Sequence, residues 1–280
     1  MPSRPILVRV SAAFAVLVAT LAASATALAA DIFVGARVAA DQRVGYDEID
    51  HAAWDELLKT YVNERGLVDY RAWKASAADV VRLDAYLNRL SSVDPRKPAA
   101  RESELAFWIN AYNAVTVKGI LREYPTTSIR NHTAKVWGYN IWKNLKLRYA
   151  DSQINLNDIE HELLRQRNEP RIHFAIVCAS IGCPRLLNEA YVPRRLDEQL
   201  SVNARDFFAQ RQNFQVDAGS NTVKLSSILS WFGSDFGADT QAQLRAISPY
   251  LPNDAARQFV AEAGVRVSYL DYDWNLNEQK

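Results

Sequence analysis

The chain has 280 residues, and its 33 basic and 32 acidic side chains leave a formal net charge of +1 at pH 7. Such a balance gives no long-range field for nucleic acid or anionic lipid, so neither is expected as a partner. Hydrophobic residues make up 49% of the chain, with seven Trp and twelve Tyr. That composition and length suit one domain with a sizeable core, or a domain with a cap.

The N-terminus has the pattern of a targeting segment. Arg4 and Arg9 precede an apolar run over residues 10–23, and Ala-Leu-Ala at 27–29 forms a cleavage site. A membrane anchor is the alternative, but the run is marginal against the ~20 apolar residues that a span requires. We therefore expect a signal peptide at 1–29, export to the periplasm or outside the cell, and no stable membrane span after cleavage.

The spacing of apolar residues and the local start and stop signals predict the remaining elements. Residues 30–46 are predicted to be an irregular lead-in and 47–280 a single globular domain. Residues 130–149, rich in aromatic side chains, are also predicted to be irregular. Helices are predicted from residue 50 to 66 and over 78–90, 103–124, 157–165, 196–208, 226–232, 241–250 and 253–264. Strands are predicted over 171–177, 214–216, 222–225 and near 265–274, and the turn residues AGSN at 218–221 predict that 214–216 and 222–225 form a hairpin. The predicted fold class is α+β, a helix-rich single domain around the buried helix 103–124, packed on a small β-sheet that includes 171–177.

The predicted strand 171–177 runs into a loop that holds the only two cysteines, Cys178 and Cys183. In an exported protein such a pair can form a disulfide, which we predict here. A second possibility is that one cysteine is a nucleophilic thiolate, which requires a lowered pKa. Buried, inert thiols are a third. The C-x4-C spacing with scattered histidines is not a strong zinc signal, and no metal or cofactor is predicted.

Two histidines lie near this loop in sequence. On a regular strand His173 would lie about 16 Å from Cys178 and on the opposite face, so it is interpreted as a buried polar residue or a site residue of that other face. His161 is the better candidate base. We expect Asn157 to cap its helix in a capping box with Glu160, and Arg165 to lie one turn further along the same face.

Two amides, Asn110 and Asn113, interrupt the otherwise apolar helix 103–124. A buried amide without partners costs about 1–3 kcal/mol, so each should have a hydrogen-bond partner. We favour a structural role in which they bind neighbouring backbone groups. The alternative is that one of them orients an imidazole or holds a substrate carbonyl.

Five segments together resemble a known family. They are LAFWINAYNAVTV at 105–117, LNDIEHELLR at 156–165, RIHFAIVCASIGCP at 171–184, LSWFGSDF at 229–236 and DYDWNLN at 271–277. The chain resembles the domain of unknown function 547 family over about residues 50–277. One departure is Ala179, where the family commonly has glycine. The resemblance implies marked positions at Asn110, Asn113, Glu160, His161, Arg165, His173, Cys178, Cys183 and Asp235.

The resemblance names no activity, and three classes of function stay open. The first expectation is an exported binding or assembly module, with a structural cysteine pair and a protein or small molecule as its partner. The alternative is a cysteine-dependent hydrolase or acyl transferase of papain-like or transglutaminase-like logic. A thiol–disulfide protein is the third class, although active redox pairs are usually C-x-x-C. The candidate catalytic residues are Cys178 as nucleophile, His161 as base, and Asn113 or Glu160 as the orienting group; the candidate binding residues are Asn110, Arg165, His173, Cys183 and Asp235.

Overall fold

The structure is a computed structural model that describes residues 31–134 and 139–280. The predicted signal peptide and its cleavage site lie outside the described residues. No helix in the described ranges is long and apolar enough to cross a bilayer.

The central helix predicted from the apolar run is confirmed. It is α4, Arg101–Glu123, and its residues are buried on every side from Leu105 to Val117. An all-round apolar helix has to be enclosed, because no face of it can be left to water at low cost. The helices Tyr70–Ala75 (α2) and Ala77–Leu90 (α3) pack against it, Ala52–Tyr61 (α1) packs on these two, and residues 156–164 also contact α4. The first apolar core is built around α4.

Most of the other helices follow the predicted order, with shifted ends, but the helices at Tyr70–Ala75 and Ile141–Asn144 were not predicted, and the second lies in the stretch predicted to be irregular. Asn221 closes the turn between the hairpin strands in a left-handed conformation. The helices are α1 Ala52–Tyr61, α2 Tyr70–Ala75, α3 Ala77–Leu90, α5 Ile141–Asn144, α6 Leu156–Asp158, α7 Leu196–Ala209, α8 Ser227–Phe236, α9 Thr240–Ile247 and α10 Asp254–Ala261.

Two small sheets flank the helices, so the α+β class is confirmed. In the first, β1 (Ile32–Val34) pairs in parallel with β2 (Leu145–Tyr149), which pairs antiparallel with β3 (Ser152–Asn155). Thus the lead-in and the 130–149 stretch, both predicted to be irregular, contribute a strand each. The predicted hairpin is confirmed as β4 (Phe214–Asp217) and β5 (Thr222–Ser226), and β6 (Arg266–Leu270) lies parallel to β5.

The strand predicted over 171–177 is wrong. Pro170–Phe174 forms a short 3-10 helix, and residues 175–178 continue without a strand partner. Here side-chain amides replace a sheet neighbour. Asn203 donates to the Phe174 carbonyl at 2.8 Å, and Asn113 brackets the next residues, as described below. A short apolar run shows only that the segment is buried, and periodicity alone cannot tell a strand from another buried conformation.

A second apolar core lies around α7 to α10 and the β4–β5–β6 sheet, and it includes Phe174. Residues 175–187 belong to the first core, so the chain passes from one core to the other just before Cys178. Tyr272, near the C-terminus, packs against both cores. The cysteine loop therefore lies where the two cores meet.

Candidate functional site

A cavity of about 240 Å³ opens at this junction. It is lined by α4, the 156–167 segment, the cysteine loop, α8 and the C-terminal segment. Five residues that the sequence pointed to meet in it. They are Glu160, His161, His173, Cys178 and Cys183. Their convergence from three separate segments is what defines the candidate site, because chemistry needs groups that are close in space.

The C-terminal segment holds the cysteine loop in place. The backbone N–H groups of Ile181 and Gly182 donate to the carbonyls of Asn275 and Asp273, each at 2.8 Å. A Cβ on Gly182 would come within 2.9 Å of the Asp273 nitrogen and 3.0 Å of the Tyr272 ring. Only glycine allows this close approach. The segment DYDWNLN thus has a structural task, which is to close one side of the site.

The two sulfur atoms lie side by side at the cavity wall. Cys178 Sγ is 2.7 Å from Cys183 Sγ, and the Tyr272 hydroxyl lies 3.3 Å and 3.0 Å from the two sulfurs respectively. Hydrogen bonds with Cys183, Tyr272 and Ser180 lower the pKa of the Cys178 thiol, whereas burial raises the pKa of Cys183. Both thiols are free here, and the disulfide stays a prediction. Cys178 is the half-buried one of the two and Cys183 is buried.

The residue after Cys178 has a strained backbone. Ala179 has a φ of 59° and is buried. A non-glycine residue in this left-handed region is uncommon, and such strain often accompanies functional sites. The sharp bend at Ala179 lets the chain turn just after Cys178, and the Cys178 side chain lines the cavity.

We expect Ala179→Gly to raise the free energy of unfolding by about 0.5–1 kcal/mol, because relief of the left-handed strain exceeds the entropy cost of glycine. Ala179→Val should lower it by about 2 kcal/mol, since a β-branched residue tolerates neither the φ angle nor the tight packing. Urea unfolding of both variants measures this. A clear loss of stability in Ala179→Gly would show that the strain is not borne at this residue.

The segment that carries Glu160 and His161 is an irregular helix. α6 passes into one π-helical turn, Ile159–Leu164, and then into a 3-10 turn, Arg165–Arg167. Asn155, rather than the predicted Asn157, is the N-cap, and it accepts from the Asp158 N–H at 2.9 Å. The predicted capping box is therefore wrong, and Glu160 is free for another task. Inserted π-turns frequently occur at functional sites; this one places both Glu160 and His161 at the cavity.

The Glu160 side chain is half-buried and has one hydrogen-bond partner among the described residues. The Tyr112 hydroxyl of α4 donates to its Oε2 at 3.3 Å. Burial raises the pKa of Glu160 to about 7, against the lowering effects of Tyr112 and Arg165. A carboxyl group with a pKa near neutrality can both take up and release a proton under ordinary conditions.

An ion-pair network lies behind the histidines. Arg165 donates to the two carboxylate oxygens of Asp235 at 2.6 and 2.7 Å, and His173 Nε2 contacts Asp235 at 2.8 Å. Burial alone would raise the pKa of Asp235, but these hydrogen bonds outweigh it and lower the pKa to about 2. Burial lowers the pKa of His173 to about 4, against the opposing effect of Asp235. His173 is therefore neutral near pH 7 and stacks on Phe232 at 4.2 Å.

The argument that placed His173 and Cys178 on opposite faces of a strand does not hold, because residues 171–177 do not form a regular strand. Both side chains line the same cavity. Within the part of the chain that is described, no hydrogen bond joins the Cys178 sulfur to either imidazole, so the pairing of Cys178 with His161 stays a prediction. Nor does any group of three or more His, Cys, Asp or Glu in the described ranges form a metal-binding cluster.

The two amides of α4 bind backbone, which is the role favoured above. Asn113 donates to the Ala175 carbonyl at 3.0 Å and accepts from the Val177 N–H at 2.9 Å. Asn110 makes the same pair of bonds with Tyr191, at 2.8 and 3.0 Å. Neither amide lines the cavity, so Asn113 is a positioning residue for the chain that leads to Cys178.

Sequence reasoning did not find two hydroxyls of the site, Tyr112 and Tyr272. Tyr112 lies on the apolar helix, where an aromatic residue is expected to be core. Tyr272 is 94 positions from Cys178, and its only signal was membership of the last family-like segment. The mouth of the cavity is aromatic as well. Trp231, 48% exposed, stacks on Trp274 with ring centroids 5.8 Å apart.

Residues 96–208 match a family model described as a protein of unknown function, DUF547. The chain thus contains a DUF547 domain, which spans α4, the cysteine loop and most of α7. The comparison with curated proteins finds no match, and the comparison with solved structures finds none either. The family description names no activity, so the function has to be argued from the cavity.

Proposed function

We propose that the protein catalyses acyl transfer from an ester or amide, to water or to another acceptor, with Cys178 as the nucleophile. The observation that carries the proposal is the position of the Cys178 sulfur. It lies at the wall of a cavity that also holds Glu160 and His161, and hydrogen bonds lower its pKa. A titratable group with a perturbed pKa in a cleft, beside further proton-transfer groups, is the general signature of a catalytic site.

The reaction would proceed in two half-reactions. The Cys178 sulfur, having lost its proton, attacks the carbonyl carbon; a C–S bond forms and the carbonyl π pair moves to oxygen. When the oxyanion collapses, the bond to the leaving group breaks, and the alcohol or amine leaves with a proton. Water then attacks the thioester and gives up a proton, the C–S bond breaks, and the thiol is restored.

The lining of the cavity favours an uncharged, apolar acyl group. Trp142, Phe232 and Ile176 supply apolar walls. Among the described residues, no Lys or Arg side chain lines the cavity, and nearby Arg165 is already bound to Asp235 and His161. An engineered apolar cavity of about 150 Å³ holds benzene, so a space of about 240 Å³ suits a small acyl group. As the leader pattern predicts, the mature protein would act in the periplasm or outside the cell.

The thiol–disulfide alternative is favoured by one observation, the 2.7 Å between the two sulfurs. A disulfide needs about 2.05 Å, so a small approach of the two atoms suffices once a two-electron oxidant, such as the disulfide of another thiol protein, takes up their two electrons and two protons. Such a bond would block Cys178 as a nucleophile. It would also leave the binding module with a structural cysteine pair, the first expectation from the sequence. The reduced protein therefore has to be compared with the oxidised one.

The test uses p-nitrophenyl acetate and the full chain after reduction and removal of the reductant. We expect one nitrophenolate released per chain in a burst, with a mass increase of one acetyl group on Cys178. The rate should exceed that of the urea-unfolded protein by about 10²-fold or more, because positioned groups then act on the reaction. Cys178→Ala should abolish the burst.

Cys183→Ala is the matched control, since it removes the neighbouring sulfur and any disulfide. It should keep a burst on Cys178. The proposal would be overturned if Cys178 in the folded, reduced protein reacts no faster than in the unfolded chain. If iodoacetamide does not label the two thiols without reductant, the native pair is oxidised. If the reduced protein is then also inactive, the result supports the binding module.

A further inference from the structure

Resting on the proposed acyl transfer, and deepening it, we propose that His161 is a neutral hydrogen-bond donor through Nε2, and that Glu160 exchanges the proton of Cys178. This reverses the roles expected from the sequence, in which His161 was the base and Glu160 an orienting group. The assignment follows from which atoms of these two side chains are already occupied.

The tautomer of His161 is set by Arg165. The distance from Arg165 Nη1 to His161 Nδ1 is 3.0 Å. A guanidinium has N–H donors and no acceptor, so Arg165 must donate and Nδ1 must carry the lone pair. In the neutral ring the proton is then on Nε2. A nitrogen that carries a proton can donate to a developing oxyanion, but it cannot accept the proton of a thiol.

Arg165 is held firmly enough to enforce this tautomer. Asp235 accepts from the other two nitrogens of Arg165, Nε and Nη2, and the Arg165 guanidinium lies 5.3 Å from the centre of the Phe232 ring. His173 Nε2 contacts the same Asp235 oxygen, Oδ2, as Arg165 Nε. Burial lowers the pKa of His161, and the positive charge of Arg165 lowers it further, against the weaker effects of Glu162, Asp235 and Asp158. His161 therefore resists protonation as well as inversion of its tautomer.

Glu160 has the opposite properties. Its single hydrogen bond among the described residues comes from the Tyr112 hydroxyl to Oε2, so Oε1 is available. It lines the cavity with Cys178, and its charge raises the pKa of that thiol, which means that the two groups sense each other's ionisation. The pKa of about 7 suits proton exchange in both directions. The titratable groups that face Glu160 are Tyr112 from α4, Arg165 from its own segment, Asp235 from α8 and Cys178 from the loop.

The steps then balance within the site. The proton of Cys178 passes to the Glu160 carboxylate as the sulfur forms its bond to carbon. The oxyanion accepts a hydrogen bond from His161 Nε2–H, which keeps its proton throughout. Glu160, now a neutral acid, gives its proton to the leaving group. In the second half-reaction its carboxylate takes a proton from the attacking water and gives it to the Cys178 sulfur as the C–S bond breaks. A neutral histidine as the electrophilic partner of a carboxylate base has precedent in isomerase chemistry.

The tautomer is tested first, on the full chain labelled with 15N-histidine. We expect His161 to show an unprotonated Nδ1 and a protonated Nε2 at pH 7, and the His161→Ala spectrum assigns its signals. An imidazolium, or a proton on Nδ1, at pH 7 would overturn the inference. This result does not depend on Cys178, so it separates a failure of the proposed function from a failure of this assignment.

The roles are tested with p-nitrophenyl acetate and iodoacetamide. His161→Ala should lower the acylation rate by about 10²-fold, as loss of one oxyanion donor does elsewhere, and His161→Asn, a donor that cannot act as a base, should recover at least tenfold. The pH midpoint of alkylation by iodoacetamide should stay in place in both. Glu160→Gln should move that midpoint to lower pH and remove the rise in the acylation rate near pH 7. Equal losses in the Ala and Asn variants, or a midpoint raised by more than one pH unit in His161→Ala, would make His161 the base.

Discussion

Asp235→Ala is expected to lower the free energy of unfolding by about 3 kcal/mol. Asp235 is the common partner of Arg165 and His173, whose side chains are 27% and 1% exposed. Removal of Asp235 leaves the Arg165 cation without its counter-charge and the neutral His173 without its hydrogen-bond partner, and for buried pairs the loss of one partner costs about 3–5 kcal/mol. The 27% exposure of the Arg165 side chain puts the expected loss at the lower end.

Asp254→Ala is the matched control. Asp254 pairs with Arg257 on the surface of α10, where its side chain is 86% exposed, and such a pair contributes about 0–1 kcal/mol. Urea unfolding at pH 7 compares the two. Because the pKa of Asp235 is lowered to about 2, its stabilisation is complete above the ordinary aspartate pKa and is lost as the pH falls from about 3.8 to about 2. Equal losses of unfolding free energy in the two variants would mean that the Asp235 network stabilises the fold no more than an exposed surface ion pair does.

Asn113→Leu should be destabilising to a similar degree, by about 3 kcal/mol. Leucine has the same branching and the same number of side-chain heavy atoms, so the main effect of the change is the loss of two hydrogen bonds. The Ala175 carbonyl and the Val177 N–H, both buried, would lose their partner, and each such group costs about 1–3 kcal/mol. The same change should slow any acylation of Cys178, since the chain before the cysteine loses its anchor.

Thr116→Val on the same helix is the control for Asn113→Leu. The Thr116 hydroxyl is buried and has no hydrogen-bond partner among the described residues, so its loss should be neutral or slightly stabilising. Thermal unfolding of the pair measures the contrast. If Asn113→Leu melts like the parent, the amide does not hold the 175–177 backbone in solution.

The elements whose signals are local were predicted well. Helix α4 followed from a long apolar run, because a helix with no polar face must be enclosed. The β4–β5 hairpin followed from its turn residues between two short β-prone runs. Two backbone-binding amides followed from the cost of burying a polar group without a partner. In each case the physical cause acts within one segment, so the sequence pattern expresses it directly.

The site was predicted as a set of residues and not as an arrangement. The candidates included all five residues that meet in the cavity: Glu160, His161, His173, Cys178 and Cys183. However, the wrong capping box gave Glu160 a capping role, and the wrong strand placed His173 and Cys178 on opposite faces. Whether residues 171–177 pair with a strand depends on what packs beside them, and here the neighbours are Asn113 and Asn203. That choice is made by distant elements, and no local pattern records it.

The sequence by itself determined the class of fold, the central helix and the chemical types that the site would contain. Only the tertiary structure decided which nitrogen of His161 is free, because Arg165 is fixed by Asp235, 70 positions away. It alone brought the Tyr272 hydroxyl to both sulfurs and Tyr112 to Glu160. Proton affinities depend on partners within a few ångströms and on exclusion of water, and these conditions exist only once the two cores have met.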